Sequence, residues 1–232
     1  KKKELYQIVL DKTPFYAESG GQVGDTGWLW FGDEKIAVVD TKKENNLIVH
    51  WVAQLPADPK LAVRAQIHVD KRLRTENNHS VAHLAHAALR QVLGNHVQQK
   101  GSFVSPDKMR FDFSHSQKMT LDEIKAVEQI VNAKIRANIP LVEQNNVPVE
   151  IAKESGAMML FGEKYGEFVR IITFEEGFSK ELCGGCHVDA TGQIGFFKIV
   201  QETAIAAGIR RIEALTAEHA ETYIQHEFDK LS

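Results

Sequence analysis

The chain has 232 residues, of which 43% are hydrophobic, 25% charged and 8% aromatic. These proportions are typical of folded globular proteins, and they exclude disordered, collagen-like and low-complexity chains. The 28 Lys and Arg residues against 31 Asp and Glu residues give a formal net charge of −3. This balance argues against a strongly basic nucleic-acid-binding protein but allows a local basic patch. No apolar run approaches the roughly 20 residues of a membrane span, so we expect no membrane association.

The first part of the chain, residues 1–69, has the pattern of β-strands. Between residues 61 and 69 apolar and polar side chains alternate, which indicates a strand with one buried face. Three further short apolar runs are predicted strands: Trp28–Phe31, Ile36–Val39 and Leu47–Val52. A polar, glycine-rich loop at Thr13–Asp25 follows the first strand. We therefore predict a small β-rich, barrel-like lobe over residues 1–69.

Residues 70–215 combine helical and strand patterns. Apolar residues recur at helical spacing from Asn78 to Val92. A second helix is predicted to start at Thr120 with a capping box and to stop before Pro140. Four strand-like runs lie at Met109–Phe113, Phe168–Phe174, Phe196–Val200 and Arg211–Leu215. We predict an α+β fold with an antiparallel sheet in this lobe, and residues 216–232 should begin a C-terminal helix leading to further domains.

Three histidines share one side of the first predicted helix. His79, His83 and His86 are spaced i, i+4 and i+7, so they fall within about 60° of one another, opposite the apolar stripe. A solvated polar face is one interpretation of this pattern. The other is a metal site, because two imidazoles on adjacent helical turns can reach one ion.

Both cysteines of the chain lie in the short segment Cys183-Gly-Gly-Cys186-His187. A secreted disulfide scaffold would carry more cysteines, so the pair points to a reducing compartment and to redox or metal chemistry. Glycines between the thiol and the imidazole would let the segment fold around an ion without interference from Cβ atoms. A tight turn with one buried cysteine is the simpler alternative. Together with the helix, the segment offers two or three His and one or two Cys ligands.

Three segments carry a family resemblance. His79–Arg90 (H-S-V-A-H-L-A-H-A-A-L-R) resembles the H-T-A-x-H-L-L-H-A-A-L-R signature of the editing domain of alanyl-tRNA synthetases. Glu181–Val188 (E-L-C-G-G-C-H-V) resembles that family's E-L-C-G-G-T-H-V, and Thr13–Gly27 resembles its T-P-F-Y-A-E-S-G-G-Q-x-G-D-x-G. Freestanding deacylases that share this domain are also similar. Ser80 and Cys186 depart from the pattern, since each replaces a threonine.

The resemblance implies a metal centre. One zinc ion per chain would be bound by His79, His83, Cys183 and His187. His86 and Cys186 would lie outside the coordination sphere, although Cys186 could compete with Cys183 as a ligand. These assignments come from the family pattern rather than from spacing alone.

The resemblance also implies substrate-handling residues. Gln99 would take part in hydrolysis without binding the metal, and Gly20 and Gly21 would lie near the amino-acid pocket. The loop that holds these glycines is then expected near the metal. The basic run Lys71–Arg74, together with Arg210 and Arg211, could contact tRNA phosphates.

The implied activity is hydrolysis of the ester in tRNA(Ala) mischarged with serine or glycine. ATP would be used only by the intact enzyme, at an aminoacylation site that we expect before Lys1, and the enzyme would be cytoplasmic. Nothing in the sequence indicates a protein partner. Two alternatives remain open: a non-catalytic tRNA-binding module in which zinc only joins distant segments, and a freestanding trans-editing deacylase.

Overall fold

The computed structural model describes residues 4–159 and 165–231. The chain divides into two compact units, Lys1–Leu73 and Arg74–Ser232. The predicted mixture of helices with antiparallel sheets is confirmed. In the described part of the chain, no helix is long and apolar enough to cross a membrane.

The first unit contains one five-stranded antiparallel sheet. Its strands are β1 (Tyr6–Val9), β2 (Gly27–Phe31), β3 (Glu34–Glu44), β4 (Leu47–Val52) and β5 (Val63–Ile67). They are ordered β1-β4-β3-β2-β5, so among the described residues β1 and β5 form the edges and the sheet does not close completely. The period-two pattern determines the buried face: Leu29 and Phe31 lie in the core, whereas Trp28 and Trp30 remain partly exposed.

The second unit contains most of the helices and two more antiparallel sheets. The helices are α1 (Val69–Leu93), which begins before the boundary between the units, α2 (Leu121–Arg136), α3 (Val149–Glu154) and α4 (Ala217–Asp229), with a 3₁₀ turn at Thr191–Ile194. The strands are β6 (Gln99–Val104), β7 (Met109–Ser114), β8 (Val142–Pro148), β9 (Phe168–Phe174), β10 (Ser179–Leu182), β11 (Phe197–Ala206) and β12 (Ile209–Thr216). The sheets have the orders β11-β12-β7-β6 and β10-β9-β8.

Helix α1 is the central helix of the second unit. Its apolar residues Val81 and Leu84 belong to the main core, together with Phe111 and Phe113 of β7. The opposite side of the helix is buried as well, so the solvated polar face suggested by the histidine spacing is not what the structure shows. Polar groups buried on that side require partners, and these partners define the candidate site.

The predicted start of α2 is confirmed in detail. The Thr120 hydroxyl accepts a hydrogen bond from the Glu123 N–H at 3.2 Å, while the Glu123 carboxylate accepts one from the Thr120 N–H at 2.7 Å. This reciprocal pair is a capping box, and it satisfies two backbone donors at the N-terminus of the helix. Val127 and Val131 then point into the core on the apolar stripe.

Candidate metal centre

Four potential metal ligands converge in the second unit. His79 and His83 are one turn apart on α1, and Cys183 and His187 belong to the segment after β10. The possible ligand atoms of these side chains all lie within 4.8 Å of one another. The Cys183 Sγ is 3.4 Å from the His79 Nε2 and 3.3 Å from the His187 Nε2. The structure therefore brings together the set that the resemblance implies.

Burial keeps the three imidazoles of the cluster neutral. His79, His83 and His187 are each less than a tenth exposed. Burial is the main cause that lowers the pKa of His79 to about 3, and it also lowers the pKa values of His83 and His187. Neutral imidazole is the form that binds metals, so these side chains need to lose no proton before they coordinate an ion near pH 7.

The thiol of Cys183 differs from the imidazoles in carrying a proton that coordination must remove. Burial raises the pKa of the Cys183 thiol to about 12, although a hydrogen bond at 3.4 Å from the Gly185 N–H partly opposes this rise. Three imidazole nitrogens and one thiolate form a donor set that suits a tetrahedral zinc ion. The residues present therefore fit the expected metal.

Arg170 of β9 fixes the segment that carries Cys183. Its guanidinium donates hydrogen bonds to the backbone carbonyls of Gly185 at 2.6 Å and Cys183 at 3.3 Å. The Cys183 N–H in turn donates to the Arg170 carbonyl at 3.0 Å. Position 184 does not require glycine to avoid a steric clash. A Cβ there would meet no atom within 4 Å, and the φ of Gly184 is not positive.

Ser80 supports His187 from α1. Its hydroxyl is buried, lies 3.1 Å from the His187 Nδ1, and accepts a hydrogen bond from the Val188 N–H at 3.1 Å. With the Nδ1 paired in this way, the Nε2 of His187 is the nitrogen that faces Cys183. Serine thus retains the hydroxyl that threonine would supply at this position, a role that the sequence alone did not reveal.

Glu181 and His86 lie beside the cluster. The His86 Nδ1 is 3.0 Å from the Glu181 Oε1, and the other carboxylate oxygen is 3.6 Å from the His83 Nδ1. All three residues are buried. His86 is not among the four converging residues, and its place outside the coordination sphere stays a prediction. The role of Glu181 was not predicted.

Cys186 also lies outside the four-residue cluster. It is partly buried, and within the described residues neither cysteine forms a disulfide. The convergence of ligand atoms therefore selects Cys183 over Cys186 for the candidate site.

Gln99 occupies the first position of β6, where it is half-buried and pairs with Phe113 of β7. Side chains of directly opposed residues in antiparallel strands project from the same face, which here carries the rings of Phe111 and Phe113. The Phe111 ring is 5.1 Å from the His86 ring. Gln99 is therefore on the same sheet face as these two rings, and its part in hydrolysis stays a prediction.

Gly20 and Gly21 form a tight turn in the first unit. Both have positive φ angles, +58° and +86°, and Ser19 and Gln22 exchange backbone hydrogen bonds across them. Such angles favour glycine, so the local turn alone explains both residues. Their expected contact with the amino acid, and the expected position of their loop near the metal, stay predictions.

The four arginines considered for phosphate contacts each form an ion pair. Arg72 pairs with the buried Asp25, and Arg74 with Glu218. Arg211 forms a bidentate salt bridge with Asp112, in which its Nε and Nη2 lie 2.7 and 2.8 Å from the two carboxylate oxygens. Arg210 pairs with Glu202. These four arginines thus have carboxylate partners within the chain, and their contact with tRNA phosphates stays a prediction.

Two kinds of comparison, with family models and with individual proteins, both indicate aminoacyl-tRNA synthetases. Residues 169–213 match the family model described as threonyl and alanyl tRNA synthetase second additional domain, and residues 1–73 match that of class II (A) tRNA synthetases. Cys183 and His187 lie in the first of these ranges.

Individual relatives match nearly the whole chain. Alanine–tRNA ligase of Cytophaga hutchinsonii is 63% identical over 227 residues, 98% of this chain and 26% of the relative. The Bacteroides thetaiotaomicron protein of the same name is 58% identical over 232 residues, which are 100% of this chain and 26% of the relative. The Salinibacter ruber protein is 48% identical over 229 residues, which are 99% of this chain and 24% of the relative. The chain thus spans about a quarter of the length of these relatives, and it belongs to the alanyl-tRNA synthetase family.

Proposed function

We propose that this chain is an aminoacyl-tRNA editing hydrolase. Its substrate would be tRNA(Ala) that carries serine or glycine, and its reaction would be hydrolysis of the ester between the amino acid and the tRNA. The observation that carries this proposal is the convergence of His79, His83, Cys183 and His187 in a chain of the alanyl-tRNA synthetase family.

The four side chains would hold one zinc ion. When bound, the ion would supply a positive charge that orients or polarises the ester carbonyl. The neutral imidazoles and the thiolate hold their positions through the backbone of α1, the Arg170 hydrogen bonds and the Ser80 hydroxyl. Gln99 would position the attacking water or the amino acid, because its amide both donates and accepts hydrogen bonds and does not titrate.

A separate hydrolytic site has a physical reason. A pocket sized for alanine cannot exclude the smaller glycine by steric means, and apolar pockets reject an added hydroxyl by only about a hundredfold. A second site can instead recognise the serine hydroxyl, since alanine would leave its buried polar groups unpaired. Removal of the wrong product then raises the accuracy of the whole enzyme.

The remaining proposals concern the intact protein. We infer that the longer enzyme attaches alanine to tRNA(Ala) with ATP at a site outside these 232 residues, as the names of the relatives suggest. Mischarged tRNA(Ala) is the proposed partner of this segment. The cytoplasm is the proposed compartment, since a site that needs a reduced Cys183 suits a reducing environment.

The direct test is deacylation by the purified chain. Ser-tRNA(Ala) and Gly-tRNA(Ala) should be hydrolysed, whereas Ala-tRNA(Ala) should be spared. A His79→Ala variant should lose both zinc and activity, while a His226→Ala variant, changed on the exposed part of α4, should keep both. Loss of neither property in His79→Ala would contradict the proposal.

The same experiment separates the alternative functions. Four protein ligands complete a tetrahedral site, which is the usual pattern of structural zinc. A chain that binds zinc and tRNA but hydrolyses no mischarged substrate would therefore be a non-catalytic module. Hydrolysis of mischarged tRNA(Ala) by this chain alone would exclude the non-catalytic module.

A further inference from the structure

We propose that Glu181 is a positioning residue of the metal centre, which orients His83 and balances the charge of the bound ion. This inference rests on the proposed zinc site. The geometry that carries it is a buried carboxylate between two imidazoles, with Oε1 at 3.0 Å from the His86 Nδ1 and Oε2 at 3.6 Å from the His83 Nδ1.

The orientation of His83 follows from which nitrogen faces the carboxylate. The Nδ1 of His83 is turned toward Glu181, and so the Nε2 is the nitrogen left for the cluster with Cys183 and His187. A metal-bound histidine commonly donates its second N–H to a carboxylate, which fixes the tautomer and the ring orientation. At 3.6 Å the contact is longer than a hydrogen bond, and a small shift of either side chain would complete it.

The position of the carboxylate is itself well fixed. Glu181 belongs to β10 and pairs in register with Ile172 of β9, which sets its backbone. Its Oε1 is held by His86, and the His86 ring is almost fully buried 5.1 Å from the Phe111 ring. His86 is thus an anchor that holds the carboxylate toward His83.

The charges support the same role. A buried carboxylate is costly unless charges or hydrogen bonds compensate it, and the Glu181 carboxylate contacts these two imidazoles, of which His83 is neutral. A zinc ion with the Cys183 thiolate would carry one net positive charge. One carboxylate close by would bring the buried site to neutrality.

The test measures zinc affinity rather than activity alone. Metal-free wild-type protein and a Glu181→Gln variant are titrated with zinc against a chelator of known affinity, and with cobalt to record the absorption spectrum. The variant should bind zinc 10- to 100-fold more weakly, the usual effect of removing such an outer partner. The cobalt spectrum should stay the same, because the four ligands are unchanged.

Two further variants sharpen the test. Glu176→Gln removes an exposed carboxylate near the same hairpin, whose side chain is 73% exposed and pairs with Lys180, and it should leave zinc affinity unchanged. His86→Gln should weaken zinc binding less than Glu181→Gln. The double variant of Glu181 and His86 should bind zinc about as weakly as Glu181→Gln alone, because His86 acts through the carboxylate.

Two results would overturn the proposal. The first is unchanged zinc affinity in Glu181→Gln, and the second is a cobalt spectrum that shows a lost ligand. Glu181 also lines a cavity of about 470 Å³ together with Arg90 and Ser179. If the unchanged zinc affinity comes with a raised KM, Glu181 would be assigned to substrate contact instead. A wild-type chain that binds zinc but hydrolyses no mischarged tRNA would refute the proposed function and leave the role of Glu181 standing.

Discussion

The burial of the four proposed ligands predicts how zinc binding should depend on pH. The pKa of His79 is lowered to about 3, those of His83 and His187 are lowered too, and the pKa of the Cys183 thiol is raised to about 12. At neutral pH the metal-free site therefore holds a single proton that zinc must displace, on the thiol. Zinc affinity should rise tenfold for each pH unit, or about 2.7 kcal/mol between pH 6 and pH 8.

A solvent-exposed site with the same four residues would behave differently. Its imidazoles would be protonated below about pH 6.5, so zinc would displace as many as four protons and affinity would fall far more steeply in acid. The assay is chelator competition between pH 5.5 and 8, with proton release measured by calorimetry in buffers of different ionisation enthalpy. His226→Ala, which changes an exposed histidine of α4, is the matched control, and it should leave the pH dependence unchanged.

The outcome that would refute this reasoning is a change of slope. Release of two or more protons below pH 6.5, with circular dichroism showing that the protein is still folded, would mean that the imidazoles are charged in the metal-free state. The burial of His79 and His187 would then not control their protonation.

Three other predictions concern the site and its loop. Gln99→Ala should keep its zinc and slow single-turnover deacylation of Ser-tRNA(Ala) by about a hundredfold, as loss of one transition-state hydrogen bond does; an unchanged rate would remove Gln99 from the reaction. Cys186→Thr should retain one zinc per chain by elemental analysis, whereas Cys183→Ala should not, and the reverse result would exchange their roles. Gly21→Val should destabilise the first unit by about 1–2 kcal/mol in chemical denaturation, because its φ of +86° disfavours a branched side chain. Gly21→Asn should destabilise the unit less than Gly21→Val. The rate of deacylation by this variant therefore tests whether Gly21 also contacts the substrate.

The fold could be predicted wherever local patterns agree with tertiary packing. The alternation before residue 69 identified β5, and Phe168–Phe174 was predicted with the bounds that β9 has. β8 was missed because its sequence is polar and its residues are mostly exposed, so that it forms through pairing with β9 rather than through an apolar pattern. Such a strand has no period for a sequence pattern to detect.

The candidate site could be predicted only in part. Helical spacing put His79, His83 and His86 on one side, but it could not show that this side is buried. The partner of His86 is Glu181, 95 positions later in the chain. A single glutamate before a cysteine gives no sign of such a pairing, because nothing in a sequence pattern records which distant strand packs against a helix.

The separation between the two halves of the candidate metal centre has a consequence for how the protein would acquire its ion. Cys183 follows His79 by 104 residues. At a synthesis rate of about 5–20 residues per second, the helix leaves the ribosome roughly 5–20 s before the thiol does. A growing chain could therefore offer zinc only two of the four proposed ligands during this interval. Tight capture would wait until β9 and β10 bring the second pair of ligands to α1, which would make metal loading a late event in the folding of this unit.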